Sequence, residues 1–172
     1  MVLCGGYPER VRSLALLAVG ANPAVDWQAH YYHLRQLWPC EQTVALQQLA
    51  HMLFAVPKRG LCSLLAEDLV WGVSLHSLWR RGRMSPPEFA GPMFVAVGGE
   101  DIIVAPPQWQ RWRQSLKPGD RFWICPEGRH FFHYENPAAV SQQLAQFWRC
   151  QDDTVALALA ASGSVDVRPV GE

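Results

Sequence analysis

One stretch, residues 92–137, limits what this chain can fold into more than any other. It begins Pro92-Met-Phe-Val-Ala-Val-Gly-Gly-Glu-Asp-Ile-Ile-Val-Ala-Pro-Pro107 and closes Asp120-Arg-Phe-Trp-Ile-Cys-Pro-Glu-Gly-Arg-His-Phe-Phe-His-Tyr-Glu-Asn-Pro137, with a helix-like segment between. Two short apolar runs each enter a loop, and each loop carries a group suited to acid/base work, Asp101 in the first and His130 in the second. Strands that alternate with helices predict a parallel sheet with right-handed crossovers. In such sheets the loops at the carboxyl ends of the strands lie together, so the acid and the histidine are expected to converge there.

The flanking segments fit the same plan. Val11–Gly20 is a short apolar run closed by Gly20, Asn22 and Pro23, as a strand buried on both faces requires. The segment before it, Met1–Gly6, reads as the end of a helix. From residue 26 to 83 the periodicity is helical. Asp26 is placed to cap a helix through Trp27, Tyr31, Leu34 and Leu37, Val44–Leu53 suggests a second, and about Leu61–Trp79 a third. After Met84–Pro92 the alternation resumes, with a helix over Pro107–Leu116 and another over Pro137–Cys150. The expected fold is α/β: about three parallel strands (11–19, 93–98, 120–125) flanked by helices, within a domain of residues 1–150. Residues 26–83 form a helical insert, and residues 151–172 read as a loosely ordered tail.

Composition narrows the function classes. Hydrophobic residues make up 49% of the 172 and charged residues 17%, with fifteen basic residues against fifteen acidic. A neutral chain of this kind has no charge-driven attraction to nucleic acid or to an anionic membrane. Arg80-Arg81-Gly82-Arg83 reads as the solvated end of a helix. The five cysteines show no C-x-x-C spacing, so neither a zinc knuckle nor a disulfide framework is indicated, and a reducing, cytoplasmic setting is expected. The apolar runs are too short to span a bilayer, and no signal-peptide pattern opens the chain. His30 and His33 sit three apart on a helix, but without a carboxylate cluster nearby they read as packing residues. No cofactor or metal is called for.

These motifs together resemble the C-terminal part of an α/β-hydrolase-fold protein. Tyr7-Pro-Glu-Arg-Val-Arg-Ser-Leu-Ala-Leu-Leu17 resembles the segment leading into the family's sixth strand. Gly98-Gly-Glu-Asp-Ile-Ile-Val104 resembles its acid loop, and Gly128-Arg-His-Phe-Phe-His-Tyr-Glu-Asn-Pro137 its histidine loop. The resemblance covers roughly residues 7–149 and implies a partial α/β-hydrolase fold with 26–83 as a helical lid. It implies that Asp101 orients the imidazole and that His130 is the general base. His133 falls where many members have a second, loop-supporting histidine. Arg129 departs from the family, which usually has glycine there, and places a cation beside the base. Trp71 and Trp79 are candidates to line a pocket under the lid, or to fill the core.

A second departure is the nucleophile. The family's chain order is nucleophile, acid, histidine, with the nucleophile in a G-x-S-x-G turn. No such motif occurs in these residues, and Cys4, the one nucleophilic side chain near the corresponding place, reads as a packing residue. Without the family's preceding strand, Leu14–Val19 is expected to be an apolar edge, open to another copy or to a partner. Two functions follow. One is a hydrolase whose complete form cleaves an ester-like or related bond in a small apolar substrate. The other is a non-catalytic interaction module on the same scaffold.

Overall fold

All six residues of Met93–Gly98 are buried, which requires cover on both faces of the sheet they belong to. The computed structural model describes residues 10–22, 26–79 and 89–162, with the side chains of 73–79 and 154–162 outside that description. Its three strands, β1 (Leu14–Leu17), β2 (Met93–Gly98) and β3 (Arg121–Cys125), pair in parallel in that order, with β2 central. Between β1 and β2 lie the helices α1 (Trp27–Leu37), α2 (Gln42–Leu53) and α3 (Leu61–Trp79). Between β2 and β3 runs α4 (Pro106–Ser115), and after β3 come the single turn α5 (Phe132–Glu135) and the long α6 (Pro137–Ser162). The expected α/β fold, a short parallel sheet flanked by helices, is what forms.

Period-two alternation along β2 builds two cores. Val95 and Val97 face one side, where Leu16, Val104 and Trp112 complete a cluster beneath α4. Phe94 and Ala96 face the other, against Phe132, Val140 and Phe147, with the Phe94 and Phe147 rings stacked at 5.6 Å. The helices α1–α3 carry a third core of their own, from Trp27 and Tyr31 through Leu46, Leu49 and Leu53 to Leu65 and Leu69. Ile103, from the loop after β2, is buried in that third core and ties it to the sheet.

The strand boundaries differ from the sequence expectation for identifiable reasons. β1 starts at Leu14, later than expected, and ends at Leu17 because Ala18 adopts φ 55°, which turns the chain out of the extended conformation while its N–H still reaches Ala96 O at 3.0 Å. β3 starts at Arg121 because the Asp120 carboxylate is engaged elsewhere. It accepts from Met93 N at 2.7 Å, Lys117 N at 2.9 Å and Lys117 Nζ at 2.7 Å, joining the starts of β2 and β3. Asp26 caps α1 as expected, accepting from Ala29 N at 2.8 Å. The last helix does not stop at Cys150. It continues to Ser162, because the six residues after Val155 are alanine and leucine, strong helix formers. The Met1–Gly6 segment, Cys4, the Arg80–Arg83 cluster and residues 163–172 lie outside the described residues.

The ends of β2 and β3 approach too closely for side chains at two positions. A Cβ on Gly98 would sit 2.2 Å from Gly128 O, and one on Gly99 2.1 Å from Pro126 O, both backbone atoms that cannot yield alone. That closeness lets Gly99 N donate to Cys125 O at 2.7 Å and Glu100 N to Gly128 O at 2.9 Å. Gly98→Ala is expected to cost about 3 kcal/mol of stability through this overpacking. Gly119→Ala, at φ 91° but with open space around it, is expected to cost only about 1 kcal/mol. Urea denaturation of both variants checks the difference.

Candidate active site

Asp101 leaves β2 into a loop that its own side chain organises. One carboxylate oxygen, Oδ1, accepts from Ile103 N at 2.8 Å and Val104 N at 3.1 Å. The other, Oδ2, lies 2.9 Å from His130 Nδ1. The Asp101 side chain has no solvent exposure and that of His130 only 8%. A carboxylate withdrawn from water this completely is tolerable only when fully bonded, and here three donors converge on it. With Nδ1 donating to the acid, the remaining lone pair of the imidazole is on Nε2, the atom a general base uses. The structure therefore brings together the two residues that the sequence singled out.

The surroundings of His130 come from two elements. The Phe131 ring stands edge-on to the imidazole at 5.0 Å and stacks on Phe54, at the end of α2, at 4.8 Å. Phe131 N donates to Leu53 O at 3.2 Å. Val56 N donates to Glu135 Oε1 at 3.0 Å, and Lys58 lies over the Tyr134 ring at 5.1 Å. The helical segment thus rests on the histidine loop through side chains and backbone alike. On the other flank, Trp112 donates its indole N–H to Val19 O at 2.8 Å, and the Gln108 side chain accepts from Asn22 N at 3.1 Å. Those two bonds tie the chain after β1 to α4. Trp109, partly buried in the same cluster, donates to Val104 O.

Several sequence readings change. Arg129 does not turn its charge onto His130. Its guanidinium donates to the carbonyls of His51 and Phe54, with Glu100 Oε2 3.9 Å from Nε. His133 packs edge-on to Phe131 and Phe132, and its buried Nδ1 has no hydrogen-bond partner among the described residues. Trp71 is not a core residue but 74% exposed, and the Trp79 side chain lies outside the described residues. His30 turns its Nδ1 to Asp26 O at 3.1 Å. No group of three or more His, Cys, Asp or Glu among the described residues is placed to hold a metal. No helix among them is long and apolar enough to cross a membrane. The contacts missed from sequence, between α2 and the histidine loop, leave no local signal, because Phe54 and Phe131 are distant in the chain.

A parallel sheet with an acid after one strand, a histidine after the next and a helical segment inserted ahead of both defines an α/β-hydrolase-type scaffold, present here in part. Solved structures share it. A thermophilic esterase matches with a TM-score of 0.59 at 20% identity, over 86% of this chain and 60% of that one. BpoC from Mycobacterium tuberculosis H37Rv, which carries the name of a non-heme bromoperoxidase, matches with a TM-score of 0.52 at 18% identity, over 87% and 62%. Identities this low establish the fold and nothing finer. In sequence the chain is 42% identical to an uncharacterized protein of Synechocystis sp. over 146 residues, and 38% identical to one of Nostoc sp. over 147 residues. Both alignments take in 83% of this chain but only 58% and 59% of the relatives, so the chain spans a little under three-fifths of their length. No family model matches.

The state of His133 gives a pH test. Burial, and then the neighbouring His130, hold its pKa below the ordinary histidine value of 6.5. The unfolded chain therefore binds more protons at this residue as pH falls below 6.5, so stability drops on acidification until the folded residue also titrates. His133→Phe is expected to remove part of that acid-side slope while leaving stability above pH 7 nearly unchanged. Thermal melts across pH 5–8 measure it.

Proposed function

We propose that this chain carries the acid and base of an α/β-hydrolase-type enzyme. Its complete form would cleave an ester-like or related bond in a small apolar substrate. The observation that carries the reading is the buried bond between Asp101 Oδ2 and His130 Nδ1, with Oδ1 already fixed by two backbone N–H groups. That arrangement leaves Nε2 to take a proton from a nucleophile, while the carboxylate stabilises the imidazolium that forms and holds its ring in place. The same pair then returns the proton to the leaving group. The thermophilic esterase among the structural matches supports ester chemistry, as scaffold likeness only. In this reading the helices α1–α3 act as a lid and supply apolar walls, and the protein works in the cytoplasm without cofactor or metal.

The nucleophile is the open part of this mechanism. The 172 residues hold no G-x-S-x-G turn, and they match under three-fifths of their relatives' length. Both facts support a nucleophile carried by the portion that these residues do not match. Expression of the chain together with any coding sequence in frame upstream tests this. Turnover of short p-nitrophenyl esters is expected, falling at least about 10²–10⁴-fold in His130→Ala. No turnover in the extended form, or turnover indifferent to His130→Ala, would overturn the proposal.

A second reading, a non-catalytic interaction module, is favoured by β1. Leu14 N and Ala18 N donate toward β2, so by the alternation of the ladder Ala15 and Leu17 present their N–H groups to the opposite side. A second copy, or a partner strand, would extend the sheet there. Leu16 is a poor place to probe this edge because it is buried beside Val95 and Trp112, whereas Ala15 is exposed. The unmodified chain is expected to associate in light scattering, and Ala15→Lys to shift it toward monomer. A stable monomer at high concentration counts against this edge as an interface.

A further inference from the structure

His130 stands between two residues that both bond the end of one helix. Before it, the Arg129 guanidinium donates to His51 O and, at 2.9 Å, to Phe54 O. After it, Phe131 N donates to Leu53 O at 3.2 Å. These acceptors belong to the last turn and cap of α2, where carbonyls lack partners within the helix and the negative end of the helix dipole lies. A delocalised, forked cation suits such a cluster better than any neutral donor. The third contact, Arg129 Nε to Glu100 Oε2 at 3.9 Å, is long and partly exposed, so it adds little. Glu100 nevertheless adjoins Asp101, and through it the same side chain touches helix, base loop and acid loop.

We propose that Arg129 is a positioning residue: by capping α2 it fixes the loop from which His130 meets Asp101. After His130 the Phe131 backbone, and before it the Arg129 side chain, is tied to the same helix end, which restrains the loop while the Asp101 bond orients the imidazole. The helical segment is then not an independent cover at this end. Any opening that lifts the end of α2 must release Arg129 and Phe131 and loosen the base from the acid. The effect on catalysis rests on the proposed acid and base roles, whereas the positioning itself is a property of the folded chain.

Proton NMR of the full chain, with nitrogen-labelled histidine, reads this directly. The His130 Nδ1–H bonded to Asp101 is expected as an ordered, slowly exchanging proton. Arg129→Met keeps the aliphatic stem but removes the cap, and should speed its exchange with water about tenfold or more. A variant that loses thermal stability yet keeps the same His130 resonance and exchange rate would reduce Arg129 to an ordinary cap and overturn the proposal. Should the variant not fold, the unmodified chain decides. The Phe131 amide and the His130 Nδ1–H must then open together as urea is raised, and independent opening, or no ordered Nδ1–H at all, overturns it. Absence of ester hydrolysis in the extended protein would leave these signals untouched, so the two proposals fail separately.

Discussion

A carboxylate with no exposure to water has to be satisfied by the protein, and the Asp101 carboxylate dictates much of what surrounds it. Two of its bonds come from its own loop, which forces the chain after β2 into a tight turn through Ile103 and Val104. The third comes from His130, which must therefore arrive from a neighbouring strand at hydrogen-bonding distance. That arrival requires the loops after β2 and β3 to lie in contact, and contact requires glycine at 98 and 99. Parallel pairing of β2 with β3 is what sets the two strand ends level.

The same loop links the sheet to the helices inserted ahead of β2. Ile103 turns outward from the acid loop into the core of α1–α3, while Phe131 and Arg129 meet the end of α2 from the histidine loop. Asp101 and His130 are thus each one or two residues from an anchor on the inserted helices. This is an economical way to hold a buried pair: its geometry is over-determined by packing on one side and by backbone hydrogen bonds on the other. It also makes the helical segment part of the site's framework, beyond any role in covering a substrate.

How much of this was legible in the sequence depended on the range of the interaction. Asp26 as a cap and the apolar run of Met93–Gly98 act within a few residues and appear where the pattern places them, and the proline-led helix forms one residue earlier than expected, at Pro106. β1 and α6 differ in extent from their sequence patterns because periodicity does not reveal a positive φ at Ala18, or how far an alanine-rich run continues a helix. The apolarity of Trp71 fits either a core or a pocket wall, and its 74% exposure excludes the core, because burial depends on how α3 packs and not on side-chain type.

Sequence by itself determined the parallel α/β order, the positions of the strand-end loops and the choice of Asp101 and His130, because spacing and turn chemistry are local properties of a chain. Only the tertiary structure decided that the two side chains meet at 2.9 Å, that Arg129 turns to a helix end and away from its neighbour, and that His133 Nδ1 is buried with no hydrogen-bond partner among the described residues. The physical reason is the same in each case. A side chain's partners are set by which backbone carbonyls and rings other elements bring within a few ångströms, and residues 51–54 and 129–131 become neighbours only after the core of α1–α3 has packed.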